Sequence, residues 1–150
     1  MQSRRQARRQ ALRLLYQLDV VFGFSREAVE SALVRWQRYS DERPADEAVL
    51  YVADVVHGVA ERVQELDALI AYYATDWSVD RMASIDRCVL RLALYEMRYR
   101  DDIPLNVSIN EAVELAKRYG DSASGTFVNG VLAQFKRERD AHALRHQTAE

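Results

Sequence analysis

The chain has 150 residues, enough for one compact domain with its own core, and a formal net charge of −2. No apolar run approaches the roughly 20 residues needed to span a bilayer, and the single cysteine, Cys88, excludes an intramolecular disulfide or a Cys-based zinc cluster. A cytoplasmic location is the expectation from these features. Five glycines and two prolines, Pro44 and Pro104, are all that interrupt the chain, which leaves room for long helices.

The near-neutral total hides an uneven distribution. Residues 1–13 hold five arginines and no acid, whereas residues 41–80 hold ten Asp or Glu against Arg43 and Arg62. Such asymmetry points to one basic surface for an anionic partner on a molecule that is not basic overall. The Arg-rich start lacks the apolar stretch and cleavage site of a secretory signal; a transit peptide is the weaker alternative.

In chain order, residues 3–21 read as a helix, with Leu14, Leu15, Leu18 and Val21 at helical spacing and Ala7 and Ala11 extending that face. Gly23 ends it, and Ser25 is an N-cap for a second helix carrying Val29, Ala32, Leu33 and Trp36. The loop SDERPADE follows, because Pro44 cannot continue a helix. Residues 46–73 read as one long amphipathic helix, with Val49, Val52, Val56, Val59, Val63, Leu66 and Ile70 repeating at three and four. Ser78 and Ser84 are possible N-caps before IDRCVLRLALYEMRYR (85–100), whose apolar content makes it the central helix. After DDIP, residues 106–120 form the next helix and Gly120 stops it. Ser122 or Ser124 caps the last, and residues 141–150 read as a flexible tail beyond a domain of residues 1–140.

The stretch TFVNGVLAQF (126–135) carries an Asn-Gly hairpin signal. No other strand is available to it, and lone hairpins are marginal in water. Phe127 or Val128, Val131, Leu132 and Phe135 also satisfy helical spacing, so helix is the expectation. A mid-helix glycine costs about 1 kcal/mol relative to Ala, and close approach of another helix or a ligand at Gly130 would offset it. The fold class is all-α, a compact bundle of about six or seven helices.

Chemistry concentrates at the N-terminus. At 100° per residue Arg5, Arg9, Leu12 and Tyr16 share one ridge, with Arg13 beside it and Arg4 and Arg8 on the neighbouring strip. Arginine neutralises phosphates and an aromatic ring stacks an unpaired base. The competing reading is a solvated face with Tyr16 at the rim of the core; five arginines without a carboxylate favour nucleic acid. His142 and His146 form an i, i+4 pair without a clear third ligand, and His57 reads as a satisfied surface histidine. Asp80 and Asp86 lie near helix starts, where a carboxylate complements the dipole. No P-loop, GxGxxG, HExxH or GxSxG occurs, so neither an enzyme nor a cofactor or metal site is expected.

The motif series IDRCVLRLALYEM, DIPLNVSINEAVELAKRYG and FVNGVL, with the start SRRQARRQALRLLYQLD, resembles the bacterial transcription antitermination factor NusB family over residues 3–137. The resemblance implies an all-helical, non-enzymatic protein that binds boxA RNA of rRNA leader transcripts together with NusE, a small-subunit ribosomal protein. It implies other Nus factors and RNA polymerase as further partners, and some members of the family form homodimers. Carried over by position, Arg4, Arg5 and Arg8 match the basic run and Tyr16 the aromatic that ends it. Phe127 matches a residue near the RNA surface, and Asp86 and Tyr16 lie by the shared RNA and NusE surface. Arg9 falls where other members carry an acid, and DSASGT (121–126) replaces a more charged loop. Two alternatives stay open: an RNA-targeting module like the N-terminal domain of rRNA cytosine methyltransferases, for which the chain leaves no room for a cofactor domain, and a structural helical interaction protein.

Overall fold

The computed structural model describes residues 3–149, with side chains as far as residue 145. Among these residues there are seven α-helices and no strand: α1 Arg4–Gln17, α2 Arg26–Tyr39, α3 Asp46–Glu61, α4 Val63–Tyr73, α5 Ser84–Tyr99, α6 Leu105–Tyr119 and α7 Ser124–Ala149. The all-α expectation holds.

Local chemistry explains the first helix. Ser3 is its N-cap: the Gln6 amide donates to Ser3 Oγ, and the Ser3 amide donates back to Gln6 Oε1 at 3.0 Å. This reciprocal cap satisfies two orphan donors. At the other end the chain widens into a π turn over Leu18–Phe22, and Gly23, with φ of 76°, terminates it. That backbone angle favours glycine. The wider turn keeps Leu18 in the core and leaves Val20, Val21 and Phe22 exposed.

The long helix expected over 46–73 is two helices. Arg62 leaves helical geometry (φ −122°, ψ 23°), and its amide donates to Val59 O at 3.0 Å. Its guanidinium donates to Gly58 O and lies 4.5 Å over the Tyr99 ring. A hydrophobic repeat keeps its phase through a one-residue break, so periodicity alone cannot see it. The break lets α3 pack on α1 and α5 while α4 packs on α5 and α7.

Helix α5 is the axis of the bundle. Every residue from Cys88 to Met97 is buried, and α1, α3, α4, α6 and α7 all pack on it. Each fully buried leucine there contributes about 1.5–3 kcal/mol. Gly58 of α3 faces it: a Cβ at this position would lie 2.2 Å from the Tyr95 ring. Gly130 behaves otherwise. It is exposed on α7, with nothing within 4 Å of a built Cβ, so the expectation of close approach there is overturned within this chain. The helical reading of FVNGVL holds, with Val128, Val131, Leu132 and Phe135 on the core face. Helix α7 continues through much of the segment read as a tail, with residues 141–145 exposed.

Candidate nucleic-acid interface

The five arginines of α1 have three different fates. Arg8 points inward and is 5% exposed. Its Nε donates to Glu96 Oε2 at 2.9 Å and its Nη2 to Oε1 at 3.3 Å. Ser108 donates to the same carboxylate at 2.9 Å, and the Tyr51 hydroxyl completes the set. Arg8 was expected on the RNA surface; the structure corrects this, because its guanidinium is spent on a buried carboxylate. Helical spacing placed it one strip from the ridge but could not show that Glu96, 88 residues away, waits there.

Arg4 and Arg5 are exposed but engaged. Arg4 lies 4.5 Å over the Tyr51 ring. Arg5 makes two hydrogen bonds to Glu111, at 2.9 and 3.1 Å. Those bonds hold the Glu111 carboxyl below its ordinary range. Arg9 is half-buried and Arg13 exposed, and neither makes a hydrogen bond or ion pair among the described residues.

The ridge of α1 runs beside α6. One depression, of about 240 Å³, lies between Arg5 and Arg9 on α1 and Glu111, Lys117 and Arg118 on α6. A second, of about 280 Å³, is lined by Arg9, Arg13 and Tyr16 on α1, Ile85 on α5 and Tyr119 on α6. Arg9 borders both, so the two form one track along α1 and α6. The run Lys117-Arg118-Tyr119 is a part of this track that sequence reasoning missed. Basic residues in the last turn of a helix complement its dipole, so their type and position alone do not mark a binding surface.

Phe127 sits half-buried at the start of α7, packed on the core, and lines neither depression. Asp86 is 8% exposed, and its Oδ1 is sealed from water without a hydrogen-bond partner among the described residues. Burial raises its carboxyl above the ordinary value, a nearby Ser124 hydroxyl opposes this, and Asp121 adds to it. Asp86 was expected at a partner surface; in this chain its side chain is buried.

A further charged cluster ties the π turn to the bundle. Asp19 accepts from Arg87 at 2.5 Å and from Arg91 at 2.8 Å, and Arg91 also grips Asp67. Burial alone would raise the Asp19 carboxyl, but the two guanidiniums outweigh it and hold it low. His57 pairs with Glu30 at 3.3 Å, as a satisfied surface histidine. His146, the second member of the expected pair, lies outside the described side chains. Cys88 is buried and its thiol is pushed up to about 12 by burial, which makes it inert. No described helix is long and apolar enough to cross a membrane.

Fold and surface together define a class: an all-helical protein whose first helix lays a basic, aromatic-ended ridge along a groove. The NusB family profile matches residues 5–137. The chain is 47% identical over 133 residues to transcription antitermination protein NusB of Bacillus subtilis, covering 89% of this chain and 94% of that one. It is 45% identical over 133 residues to the NusB of Myxococcus xanthus, covering 88% and 93%. Among solved structures, T. maritima NusB superposes with a TM-score of 0.78 at 35% identity, covering 91% of this chain and 92% of the other. A complex of antitermination factors NusB and NusE with double-stranded RNA contains a chain that matches with a TM-score of 0.73 at 26% identity, covering 90% and 96%. The chain belongs to the NusB family.

Proposed function

We propose that this protein is a transcription antitermination factor that binds RNA along the α1–α6 track. It works with NusE, within a complex that includes other Nus factors and RNA polymerase in the cytoplasm. The observation that carries the reading is the pair Arg9 and Arg13, which make no hydrogen bond or close ion pair among the described residues, flanking Tyr16 on the ridge beside Lys117-Arg118-Tyr119. Unpaired guanidiniums are the groups that gain most from a phosphate, because no internal ion pair has to be broken first. We take the RNA to be boxA of rRNA leader transcripts and the role to be non-catalytic; family membership supports this reading. We assign the function to residues 1–140. Arg5 contributes after releasing Glu111, and Arg8 supports the helix from within. In this reading Phe127 belongs to the RNA-facing residues, and Asp86 and Tyr16 to the part shared with NusE.

The test is fluorescence anisotropy with labelled boxA-like RNA and a scrambled control, with and without NusE. Preferential binding to boxA, tightened by NusE, is the expected result. Arg9→Glu with Arg13→Glu should weaken binding more than tenfold and leave the melting temperature unchanged. Because single strands lose about 0.7 in salt slope per neutralised phosphate, the double variant should flatten the slope by about 1.4. Equal weak binding of both RNAs, indifferent to NusE, would reduce the ridge to a nonspecific basic patch.

A further inference from the structure

The hydroxyls of Tyr51, Tyr72, Tyr73, Tyr95 and Tyr99 all donate to carboxylates. Tyr16 and Tyr119 do not, among the described residues, although they are only 39% and 44% exposed. Both line the 280 Å³ depression between α1 and the C-terminal end of α6. The other walls are chemically consistent. Leu12 and Ile85 supply apolar surface, Arg9 and Arg13 supply positive charge, and Gln10 supplies an amide. Among the described residues no carboxylate lines it. Outside it, the Arg118 guanidinium lies 5.5 Å over the Tyr119 ring, adding positive charge.

Two half-exposed rings whose hydroxyls are not tied to carboxylates, apolar walls and flanking cations are the requirements of an unpaired nucleobase carried on a phosphate chain. The volume lies just under the roughly 300 Å³ at which ordinary small-ligand pockets begin. It admits a group of nucleotide size and no folded element. A peptide would also find apolar surface here, but nothing in the depression would select it over an anion. We infer that this depression is a socket for one unpaired RNA base, in which Tyr119 of α6 is a stacking wall opposite the arginine ridge and Gln10 meets the base edge. The inference rests on the RNA reading above and adds a discrete position at which the strand is read.

The experiment compares wild type, Tyr119→Ala and Tyr119→Phe against a single-stranded boxA-like RNA, and scans the same RNA with single abasic substitutions. Stacking on one aromatic residue corresponds to about 5- to 150-fold in affinity. Tyr119→Ala should lose an amount in that range, Tyr119→Phe should stay within twofold, and one abasic position should erase the difference between wild type and Tyr119→Ala. The abasic scan on wild type reads the socket even where the alanine variant folds poorly. If Tyr119→Ala binds within twofold of wild type while Arg9→Glu with Arg13→Glu abolishes binding, the socket is wrong and the RNA reading survives. Absence of RNA binding by the wild type, with or without NusE, would overturn both. A Tyr119→Ala defect confined to NusE binding would assign the depression to protein instead.

Discussion

Glu96→Ala separates the two roles that the N-terminal arginines could play. Glu96 is 1% exposed and accepts from Arg8, Tyr51 and Ser108. Removing it leaves a guanidinium that is 5% exposed with no counter-ion. Breaking one side of a buried ion pair costs about 3–5 kcal/mol. The orphaned hydroxyls add up to about 1–3 kcal/mol each in isolation, but they share one acceptor and do not sum. A net loss of about 4 kcal/mol is the expectation, a large share of the 5–15 kcal/mol typical of a domain. For a chain of this size it lowers the melting temperature by about 8–16 °C. Urea unfolding followed by far-UV circular dichroism measures it, with an unchanged m-value as the control for two-state behaviour. Arg8→Met with Glu96→Leu should recover most of the loss, because apolar replacement of a buried pair is often neutral or better. A loss below about 1 kcal/mol for Glu96→Ala, or an Arg8→Met variant that keeps full stability but loses RNA affinity, would refute the reasoning and return Arg8 to the RNA surface.

Gly58 and Gly130 should respond in opposite directions. Gly58→Ala drives a Cβ into the Tyr95 ring and should cost about 1–3 kcal/mol by overpacking. Gly130→Ala meets open space and should gain up to about 1 kcal/mol in thermal melts; a destabilised Gly130→Ala would refute the open-space account. Asp19 predicts a pH dependence. Its folded carboxyl is held below its unfolded value by Arg87 and Arg91, so its contribution is complete above about pH 4, the unfolded value. It is lost as pH falls further through the lower folded value, and Asp19→Asn should flatten the stability profile in that acidic window. Asp86 has the reverse sign. Its raised carboxyl costs stability while ionised, so Asp86→Asn should raise the melting temperature at pH 7. If that buried oxygen is kept for a donor brought by NusE, the same variant should weaken the NusE complex in a titration.

The sequence by itself determined the helical class, most helix boundaries, the central position of α5 and the family. Those properties follow from local rules: spacing of apolar residues, caps such as Ser3 and Ser25, stops such as Gly23 and Gly120, and motifs contiguous along the chain. It also marked α1 as the basic element, because its five arginines are adjacent in number. The tertiary structure decided which of them are available. Arg8 and Glu96 are 88 residues apart and Arg5 and Glu111 are 106 apart, so no periodicity couples them. It also divided the helix at Arg62, where the hydrophobic phase carries straight on. It moved the close approach from Gly130 to Gly58, because what lies across from a glycine belongs to another helix. Tyr119 was hidden for the same reason. A cavity is a property of two surfaces, and only packing α6 beside α1 brought its ring to Tyr16.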